Sequence, residues 1–104
     1  MTNADAIPAA LWLLDQIEET GGHGATVVRG GQNYDVLLDV TGSWCDTYYI
    51  NLEQVLEDEE GDEHYQVLDS WGFELDDAYV ILEIVQTYVA AGGNLSDFSG
   101  SSFF

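Results

Sequence analysis

The groups in this sequence best equipped to bind something are its carboxylates. They crowd between Glu53 and Glu63, read Glu-Gln-Val-Leu-Glu-Asp-Glu-Glu-Gly-Asp-Glu, where seven of eleven positions are acidic. The chain as a whole carries 20 Asp and Glu against one cation, Arg29, and no Lys, for a formal charge of −19. Like charges a few ångströms apart repel even in water, and a small domain stays soluble on about 2 to 8 net charges. The excess calls for a use beyond solubility.

Three uses can be weighed from residue types alone. Asp58, Glu60, Asp62 and Glu63 around Gly61 could gather a hard cation. The twelve-residue calcium loop, however, needs acids at alternate positions before its glycine and a Glu six residues after it. Leu56 and Val67 stand at two of those places, so no dedicated metal site and no cofactor is expected. Catalysis is not expected either. Cys45, His23 and His64 are the only thiol and imidazoles, and a reactive thiolate needs cationic surroundings. Arg29 reads as an ion-pair partner inside the protein. Direct nucleic-acid binding is excluded, because affinity for a polyanion comes mostly from Lys and Arg replacing condensed counterions. The same rule inverted favours a basic partner: a surface of phosphate-like charge can occupy the groove of a nucleic-acid-binding protein.

Spacing supports that reading. Glu53, Glu57 and Glu60 stand at i, i+4 and i+7, one face of a helix advancing about 6 Å and then about 4.5 Å. Asp35 and Asp39 share a strand face about 13 Å apart. Duplex DNA presents a charge every ~3.4 Å of axis per strand, so such rows approximate a sparse phosphate track. The expected partner-binding residues are Asp35, Asp39, Asp46, Glu53, Glu57, Asp58, Glu59, Glu60, Asp62 and Glu63. Tyr48 or Tyr49 would add an aromatic anchor, since adjacent strand residues face opposite ways. A homodimer would lengthen the track.

The elements that must hold these groups follow from hydrophobic spacing. Residues 5–20 read as a helix capped by Asp5, with Pro8 in its first turn, a buried stripe of Ile7, Ala10, Leu11, Leu14 and Ile17, and a Gly21-Gly22 stop; Trp12 and Leu13 fall off the stripe's centre. Thr26–Arg29 and Asn33–Thr41 read as a hairpin around Gly30-Gly31. In the second strand Tyr34, Val36, Leu38 and Val40 share one face, and Asp35, Leu37 and Asp39 share a largely solvated one. Thr41-Gly42-Ser43 should turn the chain into a third strand, Trp44–Ile50, with Asp46 inside it. Asn51 with Gln54 resembles a capping box and Ile50 with Val55 a hydrophobic staple, which predicts a short helix over Leu52–Asp58. A strand His64–Asp69, a turn at Ser70-Trp71-Gly72, and a helix Asp77–Ala91 with an apolar face of Ala78, Ile81, Leu82, Ile84, Val85, Tyr88 and Val89 complete the reading. The order α-β-β-β-α-β-α implies an α+β domain with helices on one face of an antiparallel sheet.

Composition bounds the rest. At 46% hydrophobic residues, with three Trp and six Tyr, the chain has enough apolar bulk for a core despite its charge. We expect one domain over residues 1–95 and a flexible Ser/Gly/Phe tail over 96–104, ending Phe103-Phe104. No apolar run reaches the roughly 18–20 residues of a membrane span, no basic stretch precedes an apolar one near Met1, and a lone cysteine makes no internal disulfide. A cytoplasmic protein is expected.

In size and charge the chain resembles the small acidic DNA-mimic inhibitors that phages and mobile elements encode against host defence, the antirestriction and anti-CRISPR proteins. Glu63-His64-Tyr65-Gln66-Val67-Leu68-Asp69-Ser70-Trp71-Gly72-Phe73, followed by an acidic step and an apolar helix ending in Gly-Gly, is similar to the ArdA-type antirestriction module. The likeness spans about thirty residues and carries no residue roles. It implies inhibition of a DNA-handling complex by occupation of its DNA path. Two rival expectations stand beside it: a domain adapted to molar salt, whose acids serve solvation, and an acidic adaptor for a basic protein not directed at DNA.

Overall fold

The computed structural model describes residues 3–30 and 35–99. Helix α1 (Asn3–Thr20) leads into four strands, β1 (Ala25–Gly30), β2 (Val36–Trp44), β3 (Thr47–Glu57) and β4 (Glu63–Phe73), then helix α2 (Ala78–Ala90) and a 3-10 helix (Leu95–Ser99). The strands form one antiparallel meander in the order β1-β2-β3-β4. Both helices lie on one side of it, so the α+β class expected from the sequence is the class observed. Gly31, Asn33 and Tyr34 of the first hairpin, and tail residues 100–104, lie outside the described residues.

The core is a sandwich of alternating strand residues and helix stripes. Val28, Val36, Leu38, Val40, Ile50 and Leu52 point to the helix side and are all at most 2% exposed. Ile81, Ile84, Val85 and Tyr88 of α2 meet them. Each such side chain contributes about 1.5–3 kcal/mol by leaving water. The buried stripe of α1 is Ala6, Ala9, Ala10, Leu13 and Ile17. This corrects the expected stripe, because Ile7 and Leu11 are 48% and 60% exposed and Leu13 is fully covered. Two apolar stripes at helical spacing overlap on this helix. The one carrying alanines is buried, since small residues admit close approach of α2 and the sheet. The helix also starts at Asn3, which puts Pro8 in its second turn, one turn later than expected.

The largest correction concerns Leu52–Glu57, which are strand where a short helix was expected. A seven-residue helix is marginal on its own, whereas here both edges of the segment find partners: Val36↔Gln54 and Leu37↔Glu53 on one side, Glu53↔Val67 through Glu57↔Glu63 on the other. Asn51 is a strand residue whose side chain accepts a hydrogen bond from Ser70 (2.8 Å), so it caps nothing. The β2–β3 turn is Cys45-Asp46, with Cys45 at φ 55°; Thr41-Gly42-Ser43 lies within β2, next to a register shift between Val40 and Gly42. Asp46 is therefore a turn residue. Ser70-Trp71-Gly72 continues β4 without turning. Gly72 sits under the ring of Tyr49, where an added Cβ would lie 3.0 Å from Tyr49 Cε1. Asp77 precedes α2 without a side-chain capping bond.

The start of the segment assigned to the tail belongs to the fold. Phe98 is 1% exposed and packs edge-on against Tyr88 (centroids 5.0 Å) and Trp12 (6.4 Å). The Tyr88 hydroxyl donates to Asp97 (2.8 Å), and burial followed by that contact pushes its ionisation far above the ordinary range. The 3-10 helix thus clamps the open side of β1 and α1.

Candidate acidic interface

The sheet's other face carries no helix, and the strand parity decides what it shows. Arg29, Leu37, Glu53 and Val67 form one row across β1 to β4, and Thr26, Asp39, Asn51 and Ser70 an adjoining one. Beyond the end of β2, β3 and β4 continue as a two-stranded arm (Val55↔Tyr65, Leu56↔His64, Glu57↔Glu63) closed by the turn Asp58–Asp62. Asp35, Asp39, Glu53, Glu57 and Glu63, with turn acids Asp58, Glu59, Glu60 and Asp62, place nine of the chain's 20 carboxylates on this face and its arm.

The face is concave. Arg29 on β1 approaches Glu63 on β4 to 3.3 Å with two strands between them. In a flat sheet these positions would be separated by about 14 Å across the strands and about 13 Å along them. Only strong twist and curl bring their side chains together. Leu37 forms the floor and is 2% exposed although no helix covers it, a correction to the solvated position expected for it. Tyr65 closes the other side by donating to Glu63 (3.1 Å), and its hydroxyl titrates above the ordinary value because that carboxylate accepts its proton and repels the phenolate. A cleft of ≈ 300 Å³ opens at the arm's base among Arg29, Asp35, Val55, Glu57 and Glu63. Three carboxylates face one guanidinium there, and that guanidinium is already paired.

Two acids behave unlike the rest. Glu53 and Asp39 lie close enough to share a hydrogen bond, and that bond, then burial, then the Asp39 charge push Glu53 up to about 7. Asp39 also accepts from the Thr26 hydroxyl (2.6 Å). Asp58 is the opposite case. It accepts backbone N–H bonds from Glu60 (2.9 Å) and Asp62 (2.8 Å), and its other oxygen lies 2.8 Å from His64 Nε2. The His64 contact first, then the Asp62 bond, hold it below the ordinary carboxylate value. Asp58 therefore folds the turn that displays Glu59, Glu60 and Asp62, with Gly61 at φ 85° permitting the bend. His64, adjacent to Glu63 in sequence, has Asp58 as its contact.

The residues expected at an interface are thus partly united. Asp35, Asp39, Glu53, Glu57 and Glu63 share one concave face, and the turn acids extend it. Glu53, Glu57 and Glu60 are not a helical row: Glu53 and Glu57 stand four strand residues, about 13 Å, apart, and Glu60 is in the turn. Asp46 lies at the far end of β3, about 36 Å from the acidic turn, beside Glu74 and Asp76 in a second acidic cleft of ≈ 400 Å³. Tyr49 faces outward and is 42% exposed, while Tyr48 is half-buried on the helix side. Sequence reasoning missed the outward apolar residues Tyr65, Val67 and Leu68, 53%, 51% and 43% exposed; the β-favouring run Tyr65–Leu68 was the available signal. Among the described residues no group of three or more His, Cys, Asp or Glu is disposed to hold a metal ion, and no helix is long and apolar enough to cross a membrane.

No protein-family model matches the chain, and no curated protein or solved structure is significantly similar to it.

Proposed function

We propose that this protein is an acidic decoy: its concave sheet face and arm imitate the charge of a nucleic-acid backbone and occupy the basic groove of a nucleic-acid-binding complex, with the host-defence complexes of the antirestriction and anti-CRISPR class as the intended target. One observation carries the reading. Nine carboxylates gather on the helix-free face and its arm, opposed there only by an arginine already paired to Glu63. The strands hold Asp39, Glu53, Glu57 and Glu63 in place, and the bonds of Asp58 shape the turn that carries the rest of the arm's acids, so little ordering entropy is lost on docking. Released counterions on the partner's side supply the driving force.

The Asp39–Glu53 pair adds a signature. Because Glu53 titrates near 7, a Lys or Arg docking over the pair expels the shared proton. Binding at neutral pH then releases protons, visible as an enthalpy that changes with buffer ionisation heat.

A second reading, adaptation to molar salt, is favoured by the acids outside this face. Asp15, Glu18 and Glu19 are exposed on α1, away from the concave face and its arm. The experiment that separates the two titrates the protein into a defence nuclease complex bound to labelled duplex DNA, in buffer near 0.1 M salt where surface charge is screened beyond about 10 Å. A decoy stays folded and displaces the DNA stoichiometrically. A salt-adapted domain unfolds in that buffer, and an adaptor for another basic protein leaves the DNA bound.

A further inference from the structure

The helix-free face does not end where its carboxylates do. Along β3 its outward positions run from Glu57 and Glu53 to Asn51, Tyr49 and Thr47, and these last three carry no charge. Tyr49 lies across Gly72 of β4, where an added Cβ would meet its ring at 3.0 Å. The ring therefore rests on the sheet, while 42% of the residue stays exposed. Trp44, opposite Thr47 at the tip of the β2–β3 hairpin, is 74% exposed. Directly opposed strand residues share a face, so Trp44 extends the row beyond Tyr49. The acid row ends in two open rings, although a Trp left in water forgoes a large burial gain.

We infer that Trp44 and Tyr49 form a stacking end of this face and select arginine over lysine in the groove it occupies. An aromatic face attracts a cation through its quadrupole, Trp most strongly. Guanidinium is planar and weakly hydrated, so it stacks on a ring readily, whereas an ammonium keeps its water. No cation of the chain competes for the rings. Its single Arg or Lys, Arg29, pairs with Glu63 and stands opposite Leu37, seven strand residues or about 23 Å from Trp44. A carboxylate lies close to the rings as well. Asp39 is the diagonal neighbour of Tyr49 across Asn51, with Cβ atoms about 7–8 Å apart, so an arginine stacked on Tyr49 has an acceptor within one side chain's reach.

Charge decides among the occupants two open rings could take. A second copy or an anionic lipid surface would bring negative charge to a chain of −19. An apolar side chain would use the rings but leave Asp39 idle. Arginine uses both. The inference deepens the decoy reading, naming the side chain the partner's groove presents to the β2–β3 hairpin, and rests on that reading for the partner. Thr47 and Glu57 mark the two ends of β3, ten residues or about 33 Å apart, so rings and arm can be altered separately.

Octa-arginine and octa-lysine, equal in charge, are the probes, titrated into the full chain by calorimetry at about 0.15 M salt. The parent should bind octa-arginine about tenfold more tightly. Trp44→Leu with Tyr49→Leu keeps apolar area and removes the ring quadrupoles. It should weaken octa-arginine about fivefold or more, at roughly two- to fivefold per exposed ring, and octa-lysine by less than about twofold. Trp44→Leu alone, at a position 74% exposed, replaces the double variant if the latter loses its circular dichroism spectrum. In a proton–nitrogen correlation spectrum the Trp44 indole N–H, assigned by its loss in Trp44→Leu, should shift more with octa-arginine than those of Trp12 and Trp71. Neutralising Glu57, Glu59, Glu60 and Asp62 should weaken both peptides and keep their ratio; if it weakens neither, the decoy reading fails while the ratio still reports on the rings. An arginine-to-lysine ratio equal in parent and ring variants, or larger shifts at Trp12 or Trp71 than at Trp44, would overturn the inference.

Discussion

Leu37 and Leu38 are neighbours on one strand, each at most 2% exposed, yet they live in different surroundings. Leu38 points into the hydrocarbon between sheet and helices. Leu37 points the other way, into a curled face rimmed by Arg29, Asp39, Glu53 and Glu63. The two faces of this one sheet divide the protein's work: odd and even positions of the same strands carry stability on one side and charge on the other. The charged face can therefore be edited without touching what holds the chain together, and the exceptions reveal which acids are structural.

The contrast breaks most visibly on the packed side. Phe98→Ala should cost about 3–5 kcal/mol by leaving a cavity against Tyr88 and Trp12, measured by urea unfolding. A cost near zero would return the 3-10 helix to the tail. On the charged side the sign reverses. Glu53→Gln at pH 8 should stabilise by about 0.5–1 kcal/mol, the scale of a like-charge pair across two strands, and raise Tm by about 4 °C; well below the ordinary value of 4.5, where Glu53 is protonated in both states, the gain should vanish.

The pH dependence of the parent protein follows the same logic. Glu53 holds its proton up to about 7 when folded against 4.5 ordinarily, so the folded state binds the proton more tightly. Its contribution is present below 4.5 and is lost as pH rises through 7. Asp58 runs the other way. Its folded value lies below 3.8, so its contribution is present above 3.8 and is lost as pH falls through the folded value. Stability should peak between roughly pH 4 and pH 5, below the usual range of about 5 to 8. A thermal-melt series that peaks near pH 7 would mean that Asp39 and Glu53 do not share a proton.

The smallest expected effect is also the most local. Asp58→Asn should leave Tm nearly unchanged while the Glu60 and Asp62 amides lose hydrogen-exchange protection, because the ring-to-carboxylate contact with His64 is lost and the one oxygen that accepts both N–H bonds loses its charge. Equal protection in the variant would show that Gly61 and the strand pairing alone shape the turn.

Much of this fold was legible in the chain. The Gly21-Gly22 and Gly92-Gly93 stops, the β1–β2 pairing and the apolar face of α2 all follow from local rules that the tertiary structure leaves standing. Leu52–Glu57 did not yield to them, because Leu-Glu-Gln-Val-Leu-Glu is rich in helix formers and its strand state depends on pairing with β2 and β4, which the segment's own residues do not announce. Leu11 and Leu13 were exchanged in α1 because both complete an apolar stripe and only the packing partner chooses between them. At the candidate site the acids were visible as composition. The Asp39–Glu53 pair was not, since it exists only once the register sets Leu37 opposite Glu53 and Asp39 opposite Asn51. Nor was the role of Asp58, whose bonds depend on how the turn closes.

The central claim is that the position of the charge matters, beyond its sum. Two variants test it with similar changes in net charge: Glu57→Gln, Glu59→Gln, Glu60→Gln and Asp62→Asn on the arm, against Asp5→Asn, Asp15→Asn, Glu18→Gln and Glu19→Gln on α1. Displacement of duplex DNA from the basic partner is then measured for both at one salt concentration. The arm variant should lose displacement, with its salt slope reduced by several units, and stay folded with equal or higher Tm. The α1 variant should compete almost as well as the parent. Equal loss in both would reduce the protein to a diffuse cloud of negative charge and contradict the assignment of its function to the concave face and its arm.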